Sequence, residues 1–108
     1  MSQNYKMIIQ YEGTRYDGWQ KQGNTENTIQ GKLEKVLERM AGFPVEVHGS
    51  GRTDAGVHAM GQVANFHLPD DWKPDAASEK NETVSEWIRA YLNQYLPDDI
   101  AITELTPV

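Results

Sequence analysis

At 108 residues the chain has room for one domain and one modest core, and without cysteine it holds no disulfide framework and no thiolate metal site. A domain of this length buries roughly 65% of its unfolded surface, enough to fold without staples. The net charge of −6 argues against a polyanionic partner, but residues 1–69 balance seven Lys/Arg with seven Asp/Glu, and the excess lies in 70–108. The start is polar and no apolar run reaches membrane-spanning length, so the reading is a soluble domain of the reducing cytoplasm.

Lys6–Tyr11 favours a first strand, with Met7, Ile9 and Tyr11 on one face by the two-residue period. A long polar connection then runs from Glu12 to Asn27 and carries the cluster Tyr16–Gln22 around Trp19. Connections of this length commonly serve function, and Trp19 reads equally as an anchor packed on the core and as a ligand contact.

Asn27 or Thr28 caps the next element, and Asn27 with Gln30 resembles a capping box. Ile29, Leu33, Val36, Leu37 and Met40 form one apolar stripe at helical spacing, closed by Gly42 and Pro44. Lys32, Lys35 and Arg39 alternate with Glu34 and Glu38 off that stripe, and such a face is ordinarily solvated. Val45–His48 reads as the second strand and Gln62–Leu68 as the third.

After the polar, acidic stretch 75–82, Thr83 and Glu86 make a capping box. Val84, Trp87, Ile88, Tyr91, Leu92, Tyr95 and Leu96 continue it as a helix ending at Pro97, and Ile100–Leu105 closes as a fourth strand. The order β-α-β-β-α-β predicts an α+β, ferredoxin-like domain over 1–108, a four-stranded antiparallel sheet with both helices on one face. That arrangement hosts many functions and decides none.

Between the second and third strands lies Gly49–Ala59, with three glycines, Arg52 and Asp54. Composition alone favours a glycine-rich hairpin whose aspartate bonds its own backbone. His48, His58 and His67 are too widely spaced, with no cysteine, to suggest a metal site.

The run Gly51–Ala59 (GRTDAGVHA), followed by Gly61-Gln62-Val63, resembles the signature of the TruA-type tRNA pseudouridine synthases, the pseudouridine synthase I family. Tyr11–Gln20 (YEGTRYDGWQ), Thr28-Ile29-Gln30 with Leu33-Glu34, and Leu92-Asn93, Leu96-Pro97 and Asp99-Ile100 agree with the same family, so the resemblance extends over nearly the whole chain.

The resemblance implies isomerisation of uridine to pseudouridine in the anticodon stem-loop of tRNA, with no metal and no organic cofactor. It makes Asp54 the catalytic carboxylate and assigns Arg52 to extruding the target base and holding the gap. Thr53, Gly56, His58, Trp19 and Gln20 join Arg52 as substrate-contacting positions. A carboxylate can trap or stabilise a cationic sugar carbon, or act as a base at the neighbouring ribose carbon, and the residues do not choose between these roles. The family continues into a second, similarly built half that supplies further pocket residues, and it works as a homodimer with tRNA lying across both subunits. On this reading the chain is the N-terminal half and by itself inactive. Two other readings of the same fold are a non-catalytic RNA-binding module and a protein-interaction domain.

Overall fold

Residues 2–19, 27–49, 59–72 and 83–108 are described by the structure, a computed structural model. The elements run β1 (Ser2–Tyr11), a 3-10 turn (Gly13–Arg15), α1 (Ile29–Ala41), β2 (His48–Gly49), β3 (Ala59–Pro69), α2 (Val84–Tyr95) and β4 (Ile100–Pro107). The sheet order is β2-β3-β1-β4 with every pairing antiparallel, which is the ferredoxin-like arrangement. The polar stretch 75–82 lies outside the described residues.

Alternation along the strands decides which face is covered. Tyr5, Met7, Ile9 and Tyr11 of β1 and Ala64, Phe66 and Leu68 of β3 are buried. They share one cluster with Leu33 and Leu37 of α1 and Ile88 and Leu92 of α2, so both helices lie on that face. Tyr5 and Phe66 are register partners whose rings stack with centroids 5.4 Å apart. Such a cross-strand aromatic pair adds about 0.5–1.5 kcal/mol to the area it buries.

In β4 the inward positions are Ile100, Ile102 and Leu105, a spacing that breaks the two-residue period. Ile9 pairs with Ile102 and Ile8 with Glu104, leaving Thr103 as an extra residue at a bulge that returns Leu105 to the core. The Asn93 side chain of α2 meets the strand beside this bulge. Its amide donates to the Ile102 carbonyl at 3.0 Å and its oxygen accepts from the Ile102 N–H at 2.7 Å, so α2 is pinned to β4 by a pair of reciprocal bonds.

Both helices begin at threonine caps. Thr28 accepts from the Gly31 N–H and Thr83 from the Glu86 N–H, and α1 ends at Gly42 with φ +84°, the left-handed cap that favours glycine. The Asn27–Gln30 capping box is not what forms. Asn27 donates instead to the Arg15 carbonyl and Gln30 to the Val47 carbonyl, so both side chains tie the helix to neighbouring segments.

The second strand is shorter than the sequence suggests. Val45 and Val47 are buried as the alternation requires, but only His48 and Gly49 pair with β3. The backbone of Val47 is taken by α1: its N–H donates to Glu34 Oε2 at 2.9 Å and its carbonyl accepts from Gln30 at 2.7 Å. A strand whose backbone is already satisfied by helix side chains has no need of a ladder there. Glu34 is accordingly a structural bridge and not part of a merely solvated face.

On α2, Ile88 and Leu92 reach the core, as does Leu96 at its C-cap, while Trp87, Tyr91 and Tyr95 occupy the helix flank. These rings contact in sequence at 5.3 and 4.6 Å, and the Arg39 guanidinium of α1 lies 4.5 Å over Tyr95. Among the described residues no helix is long and apolar enough to cross a membrane.

Candidate functional site

The functional segment inferred from sequence is Gly49–Ala59, and its two end residues are held by the sheet. Gly49 pairs with Ala64 on one side, and Ala59 pairs with Tyr11 on the other. Arg52, Thr53, Asp54, Gly56 and His58 lie outside the described residues, as does Gln20. The structure therefore describes the frame from which the segment departs and to which it returns.

Trp19 sits inside that frame. Its side chain is buried, with the residue 2% exposed, and its ring stacks on Tyr11 at a centroid distance of 6.2 Å and an interplanar angle of 25°. Of the two roles read from sequence, the described contacts display the anchoring one. The residues leading to Trp19 are fixed by backbone bonds. Asp17 N–H donates to the Asn27 carbonyl, and the Gly18 and Trp19 carbonyls accept from the N–H groups of Ile29 and Gln30. The loop thus supplies acceptors to the first-turn donors of α1, which helices otherwise leave without intrahelical partners. Gly18 has φ 98°, a value that favours glycine at this turn into Trp19.

A second anchor lies at the start of the same connection. Asp99, just before β4, accepts from Tyr16 Oη at 2.5 Å and from Arg15 Nε at 2.8 Å, while its backbone carbonyl accepts from the Glu12 N–H at 2.9 Å. The bound Arg15 guanidinium holds the Asp99 carboxyl below the usual carboxylate range. Burial, reinforced by the bond to Asp99, pushes the Tyr16 phenol up to about 12. Neither Asp99 nor Asn93 stood out as chemistry in the sequence. The signal available was their place in the Leu92-Asn93 and Asp99-Ile100 stretches, and the contacts give both a positioning role.

His48 and His67 are exposed strand residues, His48 beside Glu46 at 3.9 Å and His67 within 3.3 Å of the Ser2 hydroxyl. Among the described residues no three His, Asp or Glu side chains gather as a metal site would require. A groove of about 320 Å³ runs between α1 and Pro44–Val45, where Lys32 and Lys35 are matched by Glu34 and Glu38. With its charges balanced, this groove offers no net attraction to a phosphate.

Comparison with known proteins places residues 7–108 within a family described as tRNA pseudouridine synthase. The chain is 57% identical over 105 residues to tRNA pseudouridine synthase A of Bacillus sp. strain KSM-64, covering 97% of this chain and 38% of that one. It is 50% identical over 105 residues to tRNA pseudouridine synthase A 2 of Bacillus cereus ATCC 14579, again 38% of the relative's length. The corresponding protein of Maridesulfovibrio salexigens is 49% identical over 102 residues, 33% of its length. The chain thus spans between one third and two fifths of these relatives.

Proposed function

The chain belongs to the tRNA pseudouridine synthase family, and on that premise we propose that it supplies the aspartate-bearing part of an enzyme isomerising uridine to pseudouridine in the anticodon stem-loop of tRNA. The observation that carries this reading is the GRTDAGVHA run at Gly51–Ala59, within a family match covering 7–108, set between sheet positions Gly49 and Ala59. The complete enzyme joins this part to the remainder of the length its relatives have, works as a homodimer, and acts in the cytoplasm.

In the proposed reaction the bond between uracil N1 and ribose C1′ breaks and the base turns. A new bond then joins C5 to C1′. The hydrogen on C5 leaves as a proton and N1 gains one, so atoms balance without an outside reagent. Asp54 is the carboxylate of this step. A free aspartate has a pKa of about 3.9, so its charged form is present at neutral pH without special tuning. The carboxylate serves either as the partner of the electron-deficient sugar carbon or as a base on the ribose. Arg52 takes the place of the extruded base, its planar guanidinium suited to stacking and to phosphate contact. Thr53, Gly56, His58 and Gln20 line the substrate path.

The test is release of tritium from tRNA labelled at uridine C5, using the complete protein. Asp54→Asn is expected to lower release by roughly 10²–10⁴-fold, the range for losing one positioned catalytic group. Undiminished release would remove Asp54 from the mechanism.

A further inference from the structure

Trp19 lies directly against one end of the frame around residues 50–58 and reaches the other end through Tyr11. On one side its ring stacks on Tyr11, the register partner of Ala59, where β3 begins. On the other its indole edge lies against Gly49, where β2 ends. A Cβ built at Gly49 would collide with Trp19 Nε1 and stand 2.7 Å from Cε2 and 2.8 Å from Cζ2. No side chain larger than hydrogen fits there while the ring stays in place. The ring has little freedom to move, since it is rigid, buried, and carried by a loop bonded to the first turn of α1.

We propose that Trp19 is a positioning residue for the isomerisation, setting the spacing between the two ends of the segment that carries Asp54, with Gly49 required so that the indole can lie directly against the backbone. This rests on the reading of Asp54 as the catalytic carboxylate. A displacement of about 1 Å at a reacting group costs on the order of 100-fold in rate, so a small shift where the chain leaves Gly49 reaches the chemistry. A core-packing tryptophan with no such role would alter stability and leave turnover alone.

Four forms of the complete protein are compared by tritium release: the parent, Gly49→Ala, Trp19→Phe, and the two changes together. Gly49→Ala is expected to lower kcat about 100-fold with KM within about twofold. Trp19→Phe lowers it about tenfold, and in the pair the smaller ring clears the added methyl, restoring kcat at least about tenfold over Gly49→Ala alone. Because the sequence contains no cysteine, Ser50→Cys supplies a unique thiol whose maleimide-labelling rate reports the same coupling without turnover. That rate is expected to change about tenfold in Gly49→Ala and to return towards the parent value when Trp19→Phe is added.

If the two substitutions combine multiplicatively in kcat and in labelling, or lower only the thermal midpoint, the proposal is overturned. Full tritium release by Asp54→Asn is a different failure. It removes the catalytic reading of Asp54, while the labelling result still decides whether Trp19 and Gly49 are coupled. Should Gly49→Ala not fold alone, Trp19→Phe and the pair still decide the matter: no loss of kcat in Trp19→Phe, or a pair that also fails to fold, contradicts the proposal.

Discussion

Replacing Asp99 with alanine removes two acceptor oxygens at one stroke and tests what holds the Trp19 connection to β4. The Tyr16 phenol is the larger consideration. Tyr16 is buried, 4% exposed, and its hydroxyl donates to Asp99 Oδ1 at 2.5 Å. A charge-assisted hydrogen bond of this kind is worth about 1.5–3 kcal/mol, and a donor left buried without a partner costs about 1–3 kcal/mol. Arg15 adds little, because its side chain is 67% exposed and solvent screens the pair. The Glu12 N–H bond to the Asp99 carbonyl survives the substitution, since it is made to the backbone. The expected loss is therefore about 2–3 kcal/mol, or roughly a 10–15 °C fall in thermal midpoint for a domain of this size. Thermal and urea unfolding would measure it in Asp99→Ala, Tyr16→Phe, Arg15→Ala and the Asp99→Ala/Tyr16→Phe pair. The pair should cost less than the sum of its single changes, because the phenol has lost its partner in one and itself in the other. If Arg15→Ala matched Asp99→Ala, the surface ion pair and not the buried phenol would be the stabilising contact, and the reasoning would fail.

The two helix caps should separate by burial. Thr28 is fully buried and accepts from Gly31 N–H at 3.0 Å, so Thr28→Ala should cost about 1–2 kcal/mol in urea unfolding. Thr83 is exposed with a 3.2 Å bond, so Thr83→Ala should cost about 0.5–1 kcal/mol, and the reverse order would contradict the burial argument. The raised Tyr16 phenol gives a pH dependence with a definite sign. Its folded value of about 12 lies above the unfolded value near 10, so its contribution is complete below about pH 10 and lost as pH rises towards 12. Unfolding midpoints followed across that window should fall less steeply in Tyr16→Phe, with a remaining slope from Tyr5, whose phenol burial also raises.

The elements and their order were legible because they depend on local periodicity. Met7, Ile9 and Tyr11 at every second position, and Leu33, Leu37, Ile88 and Leu92 at helical spacing, are the side chains found in the core. Thr28, Gly42 and Thr83 mark helix ends by residue type alone, since their side chains or backbone angles act within a few positions. The family signature around Asp54 was legible for a related reason: an unusual set of residue types is packed into nine consecutive positions.

Contacts between distant positions were not legible. Nothing local distinguishes Glu34, which caps Val47, from Glu38, which is exposed, and that bond is why β2 shrinks to His48–Gly49. Asn93 clasps Ile102 only when α2 packs on β4, and Asp99 joins Tyr16 and Arg15, across more than eighty positions, only when β4 pairs with β1. Trp19 marks the boundary most clearly. Its residue type announced a large side chain in a long loop, and both anchor and ligand contact were compatible with that. Chain order by itself indicates the order of the elements and the family, and singles out Asp54 as the carboxylate to test. The meeting of Trp19, Tyr11 and Gly49 was settled in three dimensions, because burying one rigid ring between Tyr11 of β1 and Gly49 of β2 takes a folded sheet and helix to hold all three in place.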